Sequence, residues 1–205
     1  MSLAGVVLSG GRSARMGAPK ALLDFRGKPF VVRILEALEA LEVKTRVVVV
    51  GPDAPRIRPA LAGHDCIIVE NGDVDGGPIS SLRAALRVLQ PLQPSAALAW
   101  PVDLPHVRVN TVERLLEAFR RAPPSTPAVV PTFAERRGHP VLWGAGTFEE
   151  LLTSEAANRQ GARAVLREHA SEIVSLPVDD PAVIDDLNTP EDYERLVREL
   201  NRDIY

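Results

Sequence analysis

The chain has 205 residues, 45% hydrophobic and 25% charged, enough to bury one substantial core in a single domain spanning residues 1–205. A net charge of −3 excludes a global field for nucleic acid, so any basic patch must be local. The one cysteine, Cys66, excludes an intrachain disulfide framework, and no apolar run reaches the roughly 18 residues of a membrane span.

The opening stretch MSLAGVVLSGG lacks the basic flank and long apolar core of a signal peptide, so a soluble, cytoplasmic protein is expected. LAGVVL (3–8) is β-branched and ends in two glycines, which predicts a central strand feeding a loop that reaches Lys20. Apolar residues at helical intervals predict a helix over 30–41, with Pro29 at its start where a missing N–H does no harm. TRVVVVG (45–51) is expected as a second buried strand, followed by a helix near 55–62 and a strand at CIIVE (66–70), with Cys66 as buried filler. ISSLRAALRVLQ (79–90) predicts an amphipathic helix after a glycine-rich turn, and AALAW (96–100) the next strand. NTVERLLEAF (110–119) predicts a helix capped by Asn110 with Glu113 three residues later. Extended segments are expected at 127–133 and 139–143, strand character in EIVSLPV, and a closing helix from Pro190 to about Arg202. Alternation of strands and helices predicts an α/β protein, a three-layer α/β/α Rossmann-like fold with a mainly parallel sheet.

In such a sheet ligands bind beyond the carboxyl ends of the strands, so the loops after 3–8, 66–70 and 96–100 are the places to look. Gly10 and Gly11 let backbone N–H groups approach phosphate oxygens, and Arg15 and Lys20 supply neutralising charge. A plain glycine turn with solvated cations has the same composition. Lys20 follows Pro19 and precedes Ala21, which is not a Walker loop, and Gly10, Gly11 and Gly17 do not fit a dinucleotide fingerprint. Asp103 lies between two prolines just past a buried strand, where a carboxylate can hold Mg2+ against a triphosphate or simply close a turn. Asp185, Asp186 and Asn188 precede the last helix, where Asn188 or Thr189 can cap it or the segment can supply a second oxygen donor. His64, His106 and His169 show no metal-ligand spacing and are expected in solvent. Trp100 and Trp143 are expected to pack rather than to stack on a base.

Five stretches occur in an order that resembles the MobA-like nucleotidyltransferases, the family of molybdenum cofactor guanylyltransferase and molybdopterin cytidylyltransferase. They are LSGGRSARMGAPKALLDFRGKP, GGPISSL, PVDLP, RRGHPVLW and DDLNTPEDYERL. The resemblance implies a Rossmann-like domain that takes an NTP and Mg2+, transfers NMP to a phosphorylated, molybdopterin-type acceptor and releases pyrophosphate. It implies that Leu8 and the main chain of Ser9, Gly10 and Gly11, together with Gly77, Pro78, Ser80 and Ser81, hold the nucleotide. Arg15 and Lys20 then lie on the phosphates, and Asp103 holds the metal with Asn188, preferred to Asp186. His139 and Arg137 are assigned to the acceptor, although each also suits a plain turn. The two branches of the family are mixed here: LSGG and GGPI resemble the guanylyl enzymes, and Ser80–Leu82 with Gly138–Trp143 the cytidylyl ones, which slightly favours CTP. A molybdoenzyme or its maturation factor is the implied recipient, with no nucleic acid or membrane partner. The alternatives are a transferase for a sugar or alcohol phosphate and a non-catalytic cofactor-insertion factor.

Overall fold

The β-branched runs pair into one sheet whose central strands are covered on both faces, which is why they read as continuous apolar stretches rather than alternating ones. The structure, a computed structural model, describes residues 2–12 and 16–202. The first strand, β1 (Leu3–Ser9), is followed by a small antiparallel hairpin of β2 (Asp24–Phe25) and β3 (Lys28–Pro29), then by α1 (Phe30–Ala40) and β4 (Thr45–Val50). The short α2 (Ala54–Ile57) leads to β5 (Ile67–Glu70), α3 (Pro78–Leu89) and β6 (Ala96–Pro101). Next come α4 (Val109–Arg121), β7 (Ala128–Phe133), β8 (Arg136–Arg137) and β9 (Val141–Gly144). Three short helices, α5 (Phe148–Thr153), α6 (Glu155–Gln160) and α7 (Arg163–Glu168), precede β10 (Val174–Pro177) and α8 (Pro190–Arg202).

Strand order is β10-β7-β9-β6-β1-β4-β5, with β8 attached to β7. Parallel pairing joins β1 to both β4 and β6, β4 to β5, and β10 to β7, whereas β9 runs antiparallel between β6 and β7. Successive residues face opposite layers, as the pleat requires. Val7, Val48, Val50, Leu98 and Trp100 join the core beneath α1 and α4, while Val6, Val47, Val49, Ala97 and Ala99 join the one beneath α3, α5 and α7. This is the expected three-layer arrangement. The chain runs outward from β1 through β4 to β5 and then returns to β6 on the other side of β1, so the carboxyl ends of β1 and β6 lie side by side, Leu8 level with Pro101. That reversal is where a crevice opens in sheets of this kind.

Some local expectations are corrected. CIIVE is not a buried strand: β5 is an edge strand, Ile67 is 39% exposed and Cys66 is half-buried, with burial pushing its thiol pKa up. The region 55–62 divides into α2 and a 3-10 turn (Arg58–Leu61) that has a proline in its first turn. Asn110 does not cap α4, because the helix begins one residue earlier at Val109 with Arg108 as its N-cap. The role passes to a residue far along the chain: the buried carboxylate of Asp180 accepts from the Arg108 N–H at 2.9 Å and the Thr111 hydroxyl at 2.7 Å, and also from the Ala182 N–H at 3.2 Å. A carboxylate suits this place on both counts, by satisfying orphan donors and by facing the positive end of the helix. His169 is not simply solvated either; it joins the end of α7 to Glu150 of α5 at 2.7 Å and to Glu172 at 3.3 Å. The hydrogen bond to Glu150 raises its pKa; burial opposes this, and the bond to Glu172 and the two carboxylate charges add to the rise.

Two outcomes are expected. Asp180→Ala leaves two backbone N–H groups and a hydroxyl without their acceptor, and should lower stability by about 1–3 kcal/mol in urea unfolding at unchanged m-value. For His169 the folded pKa lies above the unfolded value, so its contribution is complete below about pH 6.5 and is lost as pH rises through the folded pKa. The stability gap between the wild type and His169→Gln should therefore be widest near pH 6 and shrink above it; a gap that widens with pH would contradict the sign.

Candidate active site

Close backbone packing sets the floor of the crevice. A Cβ on Gly51, just after β4, would lie 2.3 Å from the Gly10 carbonyl oxygen, and one on Gly10 would lie 2.3 Å from the Ser81 hydroxyl. Backbone therefore requires glycine at 51, a side chain at 10 would have to displace the Ser81 hydroxyl, and the loop after β1 is pressed against the carboxyl end of β4 and the start of α3. Behind it, the buried Asn71 donates to Ser80 Oγ at 2.8 Å and Ser81 Oγ at 3.1 Å, while its own oxygen accepts the Asp73 N–H at 3.0 Å. The Ser80 hydroxyl donates in turn to the Gly77 carbonyl at 2.7 Å. Asn71 thus ties the start of α3, where Pro78 is the first residue, to the loop after β5. Arg12 reaches across the mouth to the Asp75 carboxylate at 3.0 Å, both side chains being exposed.

The next loop, after β6, is shaped from within. Val102 N–H donates to the Leu8 carbonyl at 3.1 Å and Leu104 N–H to that of Pro101 at 3.2 Å, and the fully buried Trp100 donates its indole N–H to the Leu104 carbonyl at 2.9 Å. Trp100 therefore packs, as expected, and also fixes the turn that presents Asp103. Lys20 completes the arrangement: its ammonium donates to Asp103 Oδ2 at 3.0 Å and to Asn188 Oδ1 at 2.8 Å. Because an ammonium only donates, the Asn188 amide must turn its oxygen toward the site. Two oxygen donors from segments far apart in sequence so converge on one cationic point, the Lys20 and Asp103 side chains being only 13% and 24% exposed.

The chain around Asn188 is held on both sides. Its N–H and that of Thr189 donate to Asp192 Oδ2 at 3.0 and 2.9 Å, while Thr189 Oγ1 accepts the Asp192 N–H at 3.3 Å, a reciprocal cap for α8. Upstream, Asp185 meets His106 Nε2 at 3.0 Å and Arg195 Nη2 at 2.8 Å. Burial by itself would raise the Asp185 pKa; the hydrogen bonds from His106, Arg195 and the Asp186 N–H, with the His106 charge, outweigh it and hold the carboxyl well below the usual range. His106 is thus not a solvated histidine, its side chain being 12% exposed.

A cleft of about 1460 Å³ is lined by Leu8, Ser9, Gly10, Gly11, Lys20, Gly77, Ser80, Ser81, Asp103, Arg137, His139 and Asn188, so these expected site residues meet in one place. Arg15 lies outside the described residues. His139 follows Gly138, whose absent Cβ would strike the Val183 carbonyl at 2.2 Å, and its own N–H donates to that carbonyl at 2.8 Å. His139 is exposed at the cleft; what burial it has lowers its pKa, and the Asp103 charge opposes this. Part of the cleft lining was not legible in the sequence: Arg83, Arg159, Arg163 and Arg167 also line it. Their helical spacing in 159–167 was the one signal available. Asn71 was likewise missed, although its place just past a strand marks it as a ligand-edge residue.

Among the described residues no group of three or more His, Cys, Asp or Glu converges as a metal cage. A carboxylate and an amide oxygen aimed at one cation nevertheless suit a hard divalent ion, which takes one or two protein oxygens and completes its shell from phosphate and water.

The chain is 29% identical over 196 residues to molybdenum cofactor guanylyltransferase of Rhodobacter capsulatus, covering 95% of each. It is 30% identical over 197 residues to nicotine blue oxidoreductase of Paenarthrobacter nicotinovorans, covering 94% of this chain and 95% of that one. Among solved structures it resembles Rv0371c of Mycobacterium tuberculosis H37Rv, with a TM-score of 0.80 at 28% identity over 97% of this chain and 99% of the other. The same protein has been solved in complex with manganese, with a TM-score of 0.72 at 28% identity over 97% and 99% of the two chains. With a model of the MobA-like NTP transferase domain matching residues 5–173, most of its length, the chain belongs to that family.

Proposed function

We propose that the protein transfers a nucleoside monophosphate from an NTP to the terminal phosphate of a molybdopterin-type acceptor. The observation that carries this reading is the Lys20 ammonium held between Asp103 Oδ2 and Asn188 Oδ1 on the floor of the cleft. A transferase of this type needs a cation, two oxygen donors for a divalent metal and room for two substrates. The cleft, at about 1460 Å³, exceeds the usual ~300–1,000 Å³ of a single small-ligand site.

In this reading the main chain of Ser9–Gly11, with Leu8, Gly77, Pro78, Ser80 and Ser81, holds the nucleotide, and Arg15 and Lys20 take its phosphates. Asp103 and Asn188 hold Mg2+, which supplies charge neutralisation on the triphosphate when bound. Arg137 and His139 face the acceptor, the guanidinium supplying charge and the ring hydrogen bonding. An oxygen of the acceptor phosphate attacks the α-phosphorus, the bond from that phosphorus to the bridging oxygen of the β-phosphate breaks, and pyrophosphate leaves with the electron pair. The attacking oxygen is already ionised, so alignment and neutralisation replace a general base. A molybdoenzyme or its maturation factor then receives the product, in the cytoplasm.

CTP is the first donor to test, on Ser80–Leu82 and Gly138–Trp143. GTP is the second reading, supported by the guanylyltransferase name of the R. capsulatus relative. A redox reading, raised by the name of the P. nicotinovorans relative, has against it the spacing of Gly10, Gly11 and Gly17, which departs from a dinucleotide fingerprint.

Pyrophosphate release is expected with one of CTP or GTP, Mg2+ and molybdopterin, and Asp103→Ala should lower kcat by about 100-fold or more while the variant stays folded. Turnover with a sugar phosphate and not the pterin would overturn the acceptor, and no pyrophosphate with any NTP would leave the insertion-factor alternative.

A further inference from the structure

We propose that His106, Asp185 and Arg195 form a positioning clasp that sets the spacing of the Asp103 and Asn188 oxygens and thereby the affinity of this site for a divalent cation. The inference rests on the metal assignment proposed above and assigns these three residues no contact with substrate.

Asp103 and Asn188 come from two separate loops, and each loop carries a second polar residue three positions from its oxygen donor. His106 lies three after Asp103, and Asp185 three before Asn188. These two meet at 3.0 Å, so near the site the loops are joined through Lys20 and again here, and farther back Arg108 binds Asp180. The joints differ in kind. Lys20 lies between the two oxygens, where its positive charge competes with a bound cation, and it is also the group assigned to the phosphates. It is therefore not the brace that keeps the loops in register once the site is loaded. The His106–Asp185 bond is set back from that point and leaves both oxygens free.

The clasp is braced from outside. Arg195 donates to Asp185 Oδ1 at 2.8 Å and lies on α8, whose first turn fixes the Asn188 main chain through Asp192. Buried Val183 and Leu187, each 1% exposed, pin the segment on either side of Asp185. His106 carries a mark of its purpose: its Nδ1 is buried without a hydrogen-bond partner among the described residues. A buried ring nitrogen without a partner is a cost that an apolar side chain of similar size avoids. The ring is thus explained by its Nε2–H bond to Asp185 rather than by packing, as with the outer partners that orient metal ligands elsewhere.

Mn2+ binding by the purified protein, followed by loss of the free-ion electron paramagnetic resonance signal, tests this without turnover. His106→Leu fills the space and removes the orphan nitrogen but loses the donor; it should raise the Mn2+ Kd about 10–100-fold with little loss of melting temperature. His106→Gln, whose amide N–H can replace Nε2–H, should bind within about threefold of wild type, well inside that range. Asp103→Ala serves as the reference for loss of the site. Wild-type binding in the Leu variant, or equal loss in the Leu and Gln variants, overturns the clasp while leaving the metal assignment standing if Asp103→Ala loses Mn2+. Wild-type binding by Asp103→Ala, or no binding by the wild type, overturns the metal assignment and the clasp with it. Should His106→Leu not fold, Asp185→Ala, which removes the acceptor, replaces it with the same expected loss.

Discussion

One ammonium held between two oxygens organises the cleft. Lys20 follows the glycine loop, Asp103 the sixth strand and Asn188 the last irregular segment, and their meeting brings the start, middle and end of the chain to one edge of the sheet. A carboxylate and a lysine at 3.0 Å, both largely shielded from water, attract each other more strongly than an exposed pair, and each reduces the cost of burying the other.

That arrangement needs a scaffold that does not give way. Because the central strands are covered on both faces, the loops that leave their ends start from closely packed positions. Glycines then allow backbones to touch directly, Gly51 against Gly10 and Gly138 against Val183. The segment 178–188 crosses this edge as a strap. It caps α4 through Asp180, receives the His139 N–H on Val183, engages His106 and Arg195 through Asp185, and delivers Asn188. Most of its length is structural, and one residue of it reaches the cleft floor.

Charge in the cleft is local, as a chain of net charge −3 requires. Arg12, Arg83, Arg137, Arg159, Arg163 and Arg167 line the cleft with Lys20 and outnumber its carboxylates Asp73, Asp75 and Asp103, so an anionic ligand meets a locally positive lining on a protein of negative net charge.

The sequence by itself determined the order of elements, the three-layer class and the motif positions, because β-branched runs, helical spacing and glycine pairs are local signals. It also marked Lys20, Asp103 and Asn188 one by one. The tertiary structure alone decided that these three meet, since a contact between residues 20 and 188 has no trace in either neighbourhood. Errors fell where a distant partner replaced a local one. Asn110 looks like a cap, but a carboxylate 70 residues away does the capping; His106 and His169 look solvated, but each is claimed by a carboxylate from another segment. The strand at 66–70 is apolar enough to be buried, yet strand order places it at an edge, and order is set by how crossovers pack, not by the composition of any one strand. Local chemistry thus names the parts, and the distances between them exist only once the layers have packed.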